Sequence, residues 1–279
     1  MKRLHINIVL LFVLTGVVFS LQSCNKKVDS TKALLEEIEN KYEGKWFKHV
    51  KFLQTTNFYK NDSIYKAERW AEEYVYPGQL IIKVDSDTSN NGYLYRRDSV
   101  YIFEKNQLIY KDQVFHDLII LSMDIYNMTA EESYKRFSEL DYDLDKFDTR
   151  EYNGRKVYVV GAEKGDTTSN QVWFDAEHLY FVKMIKSNEH GRQEVVFNDY
   201  ININGSAWIE QEVVFYLDGK KYMEEKYYNI QIPDVERDKL EINDFKGFNI
   251  SLINPIEIII EDQIDKYIYS LYYMTLGGY

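Results

Sequence analysis

The stretch Trp70–Gln113, WAEEYVYPGQLIIKVDSDTSNNGYLYRRDSVYIFEKNQLIYKDQ, decides the fold. Pro77-Gly78 and Asn91-Gly92 punctuate it as turn dipeptides. Between them Leu80, Ile82 and Val84 alternate with Ile81, Lys83 and Asp85. Further on, Val100 and Ile102 alternate with Tyr101 and Phe103. A period of two is the strand signature, so the stretch predicts a series of short antiparallel strands. Both faces of these strands bear apolar residues. A sheet with one face in water is polar on that face, so this one needs cover on both sides or wraps around something.

Working outward, the chain supplies more strands and a few helices. Ser30–Tyr42 predicts a helix capped by Ser30 or Thr31, with Leu34, Leu35, Ile38 and Tyr42 at helical spacing. Trp46–Tyr59 and Ser63–Val75 predict long strands joined at Lys60-Asn61-Asp62. Val114–Met128 switches to helical periodicity, with Leu118, Leu121, Ile125 and Met128 on one stripe. Thr129, with Glu132 three residues on, opens a second helix over Ala130–Glu139. Strands return at Lys156–Gly161, Gln171–Asp175, Leu179–Ser187, Gln193–Ile203, Ala207–Asp218 and Lys220–Ile232, separated by turn sequences such as Asp218-Gly219. Asn254-Pro255 then starts a helical extension over 251–279, with Ile256, Ile260, Ile264, Ile268 and Leu271 at helical spacing. That tail is expected to be a helix docked on the sheet, or else a plug or gate for a cavity, or a partner helix.

The start of the chain is the sharpest signal. Lys2 and Arg3 precede an apolar run, Ile8–Phe19, which is short for a bilayer span. Leu21-Gln22-Ser23-Cys24 then matches a lipobox, the processing and lipidation site of bacterial lipoproteins. Residues 1–23 are therefore expected to leave as a signal peptide. Cys24 is expected to bear acyl chains such as palmitate, with 24–31 as a tether. Two or more chains anchor a protein stably to a membrane. Cys24 is the sole cysteine, so no intramolecular disulfide forms.

The residues also resemble a known family. Trp70, Tyr74 with Pro77-Gly78, the Leu80–Val84 alternation, Gly92-Tyr93-Leu94-Tyr95 and Asp98–Phe103 are similar to the lipoprotein-carrier superfamily of LolA and LolB, in its Bacteroidetes-type branch. So are Val172-Trp173-Phe174-Asp175 with the Leu179–Val182 strand, and Tyr227-Tyr228-Asn229-Ile230 with Pro233. The resemblance spans about residues 30–250 and implies one mainly β (α+β) domain, at 32–250. Its fold would be a curved antiparallel half-barrel sheet whose concave side is covered by helices over an acyl-binding cavity. Trp70, Tyr74, Leu80, Ile82, Val84, Val100 and Ile102 are the candidate lining, with ordinary core packing as the alternative for each. The resemblance further implies the outer membrane, periplasmic face, and lipid acyl chains or lipoproteins as partners. Asn25 rather than Asp after the cysteine accords with this.

Composition excludes other classes. Without Lys2 and Arg3 the chain holds 32 basic against 45 acidic residues, a net charge of −13, with no basic stripe for nucleic acid. No metal or cofactor is expected. His49, His116, His178 and His190 lie in different elements without zinc spacing. Asp141, Asp143, Asp145 and Asp148 fail as a calcium loop, because Lys146 and Tyr152 stand where Gly and Glu are needed. No nucleophile elbow or phosphate loop occurs. Glu72-Glu73 and Glu224-Glu225 are adjacent in strands and so point to opposite faces, which leaves only cross-strand pairs open. The readings are thus a non-catalytic lipid-anchored carrier or receptor, an envelope interaction module with a self-filled cavity, and, least supported, a hydrolase.

Overall fold

The computed structural model describes residues 27–86, 89–233, 237, 239 and 240. The signal peptide, Cys24 and the 251–279 extension lie outside the described residues. The first helix, α1 (Thr31–Tyr42), is capped by Ser30, whose hydroxyl accepts from the Ala33 amide. Its stripe of Leu34, Leu35, Ile38 and Tyr42 is buried as the periodicity requires.

Six strands follow in meander order: β1 (His49–Lys60), β2 (Ser63–Val75), β3 (Gln79–Val84), β4 (Gly92–Arg96), β5 (Val100–Glu104) and β6 (Gln107–Asp112). The β1–β2 hairpin turns through Asn61 and Asp62, both at positive φ, which short polar side chains tolerate best. After the helical segment come β7 (Phe147–Tyr152), β8 (Arg155–Val160), β9 (Gln171–Asp175), β10 (Phe181–Asn188) and β11 (Gly191–Asn198). A small two-stranded ribbon, β12 (Ile201–Ile203) with β13 (Ala207–Ile209), interrupts the series before β14 (Glu212–Leu217) and β15 (Lys220–Gln231).

The other thirteen strands form one antiparallel sheet in the order β6-β5-β4-β3-β2-β1-β15-β14-β11-β10-β9-β8-β7. The sheet is curved and open. Its two halves are joined where β1 pairs with β15, Gln54 opposite Tyr227 and Phe58 opposite Met223. One face is concave and packs against α1 and the helical segment in a single large core. Apolar residues on the opposite face are covered separately. Val75, Ile81, Leu94 and Phe103 pack with Leu240, while Val157, Val159, Trp173 and Val182 cluster at the other end. Cover on both faces is what the alternation of Leu80–Val84 demanded.

The segment after β6 departs from the simple stripe expected of Val114–Met128. It is a π-helical turn, Ile119–Met123, running into a 3₁₀ turn, Asp124–Asn127. Every residue from His116 to Tyr126 is buried. A regular amphipathic helix would expose one face; this segment is enclosed on all sides, so it follows the contour of the groove. The helix α2 (Ala130–Ser138) leaves it through a capping box. The Thr129 hydroxyl accepts from the Glu132 amide, and the Glu132 carboxylate accepts from the Thr129 amide. Edge strand β7 takes in Asp148, the last of the four aspartates that fail as a calcium loop; there it pairs with Arg150 at 2.9 Å. No helix among the described residues is long and apolar enough to cross a membrane.

Candidate ligand groove on the concave face

The concave face follows from strand parity. On β2 the residues Glu68, Trp70, Glu72 and Tyr74 share it; on β15 Met223, Glu225 and Tyr227 do. Directly opposed pairs fix the neighbours: Phe52 faces Glu72, Gln54 faces Trp70, and Tyr74 faces Leu80. The helical segment is laid across these strands and leaves a cavity of about 50 Å³ beneath it.

The sequence candidates divide in the structure. Tyr74, Leu80 and Ile82 line this cavity. Trp70, Val84 and Val100 are buried in the same core without reaching the cavity wall, and Ile102 is half-buried at its margin. The roof is Leu118, Ile119, Ser122 and Met123, from the segment that periodicity had read as a striped helix.

That roof is tied down at both ends by buried acids. Asp124 accepts from the Tyr74 hydroxyl at 2.6 Å and from the Gly78 amide at 3.0 Å. Burial raises the Asp124 carboxyl to about 6, and these two donors restrain the rise. Asp117 accepts from Lys186 at 2.9 Å and from the Tyr142 hydroxyl at 3.2 Å. Beyond the roof, Tyr126 stacks on Trp46 at 3.8 Å between ring centroids, and its hydroxyl accepts from the Phe181 amide.

What sequence reasoning missed is a carboxyl cluster in the cavity wall. Glu72 of β2, Glu225 of β15 and Glu210, between β13 and β14, all line it. Burial pushes Glu72 well up, and the charges of Glu225 and Glu210 add to that. Glu210 is pushed up to about 8 by burial first. Glu225 rises to about 7, again by burial, with hydrogen bonds from Tyr227 and Gln54 holding it back. Their sequence neighbours behave differently. Glu73, on the outer face, meets His49, Lys51 and Arg237, and Glu224 meets Lys221 at 2.5 Å. The adjacent pairs thus split across the sheet as parity required, while the inner members of the two pairs converge. The available signal was a glutamate at inward parity between large apolar residues, as in Trp70-x-Glu72-x-Tyr74 and Met223-x-Glu225-x-Tyr227.

His116 stands in the same cavity wall. Its Nδ1 accepts from the Ile119 amide at 3.2 Å, which places the ring proton on Nε2. Burial holds the imidazole neutral, with its pKa lowered to about 3. Among the described residues no group of His, Cys, Asp and Glu has the arrangement to hold a metal ion. A second hollow, of about 170 Å³, opens on the outer face beside Lys51, Glu73 and Lys83.

No family model matches the chain, and no curated protein matches it by sequence. Solved structures do. A DUF1329 family protein from Desulfovibrio piger aligns with a TM-score of 0.50 at 13% identity, over 79% of this chain and 98% of that one. An outer membrane lipoprotein-sorting protein domain from Vibrio parahaemolyticus aligns with a TM-score of 0.50 at 14% identity, over 77% and 95%. The LolA superfamily protein NE2245 from Nitrosomonas europaea aligns at 0.49 and 12% identity, over 75% and 96%. This chain's mainly antiparallel, curved and open sheet thus shares its fold with the Desulfovibrio piger and Vibrio parahaemolyticus proteins.

Proposed function

We propose that this chain is a lipid-anchored envelope lipoprotein, held through acyl chains on Cys24 at the periplasmic face of the outer membrane, and that it binds lipid acyl chains or lipoproteins in the groove of its sheet as a non-catalytic carrier or receptor. The observation that carries the reading is the roof. A fully buried segment, His116–Tyr126, presents Leu118, Ile119 and Met123 to the groove where an acyl chain would lie. Tyr74, Leu80 and Ile82 form the floor under it. Exchange of roof side chains for a ligand's methylenes is near neutral in buried area, because each buried CH₂ gives ~0.8 kcal/mol on either side. The cost of opening then falls mainly on the hydrogen bonds at Asp117 and Asp124. The shared fold with a lipoprotein-sorting domain supports the same reading.

A second reading has its own observation. The cavity is about 50 Å³, room for a few waters and far short of an acyl chain. On that basis the chain is an assembly module whose groove is filled by its own side chains. Native mass spectrometry of the mature chain from residue 24, bearing Cys24→Ser, followed by organic extraction, decides between them. The described fold begins at residue 27, so removal of 1–23 leaves it whole. Co-purifying phospholipid or fatty acid is the expected result, with Ile82→Glu abolishing it. A clean apo mass with no uptake of added lipid rejects the carrier reading in favour of the module.

A further inference from the structure

A groove built only for acyl chains has no use for three buried carboxyls. Glu72, Glu210 and Glu225 share one small cavity, and the side chains lining it include no lysine or arginine. Two further buried polar atoms, one in the cavity wall and one outside it, are unpartnered. His116, 5% exposed, lines the cavity with Nε2 bonded to nothing. Gln54, fully buried beside Glu225, donates to the Thr56 hydroxyl and leaves Oε1 without a partner. Buried polar atoms are nearly always satisfied in a finished interior. The His116 donor, left open in a wall that holds three acids and no basic side chain, describes the unfilled half of a recognition site.

We propose that this end of the groove binds the cationic amine head of an amphiphile, with Glu72 and Glu225 accepting from the ammonium and His116 Nε2 donating to an oxygen of the same head. The inference rests on the carrier reading and narrows its ligand class. An ammonium supplies the opposite charge that the cluster lacks and three donors for its acceptors. The apolar floor of Phe52, Leu80 and Ile82 takes the chain where it replaces the roof side chains. An anionic fatty acid is disfavoured here, because its carboxylate would be desolvated with no basic side chain to pair it, in a space that already raises three carboxyls. The titratable groups facing this space are Glu72, Glu210, Glu225, His116, Tyr74 and Tyr227. Near neutral pH the carboxyls retain protons, which the cation must displace. Affinity for an amine therefore rises between about pH 6 and 8, as Glu225 and then Glu210 ionise more readily.

The test compares three probes of one chain length: dodecylamine, 1-dodecanol and dodecanoate. Each is titrated calorimetrically, below its aggregation limit, into the mature Cys24→Ser chain. The expected result is one site that binds dodecylamine roughly tenfold or more tighter than dodecanol, the scale of a single charge-assisted hydrogen bond. The double variant Glu72→Gln/Glu225→Gln should bring the amine to the level of the alcohol and leave the alcohol unchanged. Should that variant fail to fold, Glu210→Gln alone should reduce the preference and its rise with pH. Equal binding of all three probes, or tightest binding of dodecanoate, overturns the amine site while leaving the carrier reading intact. Binding of none overturns both. Amine uptake at many sites, untouched by the glutamine variants, is surface attraction to an acidic protein and also overturns the proposal.

Discussion

Glu210→Gln should make the protein more stable, and by an amount that grows with pH. The carboxyl lies 3% exposed in the cavity wall and titrates at about 8 when folded, against an ordinary value of 4.5. A raised folded pKa means that the folded state binds the proton more tightly. The contribution is fully present below pH 4.5 and is lost as pH rises through 8. Relative to a residue that does not titrate, the penalty is about 1 kcal/mol at pH 5, about 3 at pH 7 and about 5 at pH 9, because each tenfold difference in proton affinity between the folded and unfolded states is worth ~1.36 kcal/mol. These are upper values, since a glutamine amide buried in the same place also needs partners. Urea denaturation of both proteins at the three pH values measures the difference directly. Midpoints should nearly coincide at pH 5 and separate by roughly 1 M or more at pH 9, for an m-value of about 1–3 kcal/mol/M. Glu72 and Glu225 titrate in both proteins, so the difference between the two curves reports Glu210 together with its charge coupling to those two neighbours. Parallel pH curves, or a variant less stable at pH 9, would refute the claim that this carboxyl is held in a desolvated site.

Three further outcomes follow from other parts of the fold. Tyr74→Phe removes the hydroxyl that donates to Asp124 and should cost about 1–3 kcal/mol. Amide exchange should quicken over residues 116–127; unchanged exchange there would show that this bond does not hold the roof. Thr129→Ala should cost about 1 kcal/mol of thermal stability through loss of the capping box of α2, whereas Thr129→Ser should cost little. Gly161→Ala should be the most damaging glycine change: φ is +93° and an added Cβ would sit 2.2 Å from the Asn170 carbonyl oxygen. Gly154→Ala, at φ +76° with nothing within 4 Å, should cost only the ~1 kcal/mol of left-handed backbone strain; equal melting losses for the two would show that the Asn170 contact gives way.

Legibility tracked locality. The hairpins of β1–β5 were readable because turn residues and alternation lie within a few positions of one another. The β2 limits, Ser63–Val75, and the β9 limits, Gln171–Asp175, agree with the strand pattern to the residue. Capping by Ser30 and Thr129 was readable for the same reason. The roof was not, because its stripe assumed one buried face, and a segment enclosed on all sides has no stripe to detect. Strand β7 was hidden by its charges: an edge strand needs little apolar content when a neighbour covers only one side of it.

The carboxyl cluster was the least legible feature and discriminates most. Parity alone split Glu72 from Glu73 and Glu224 from Glu225, but which member faces inward, and the meeting of Glu72 with Glu225, depend on the β1–β15 pairing that joins the two halves of the sheet. No local pattern encodes that pairing. Once joined, the three acids separate the competing readings. A self-filled module has every reason to replace them with apolar residues, since a buried acid without a counter-charge lowers stability at neutral pH. A purely acyl-binding groove has the same reason. Only a site that meets a cation or a hydrogen-bonding head recovers the cost, and it recovers it in the bound state alone. The folded apo protein should therefore be less stable at pH 8 than at pH 6, and the occupied protein should regain that loss. A ligand that stabilises the protein equally at both pH values would place the acids outside its binding site.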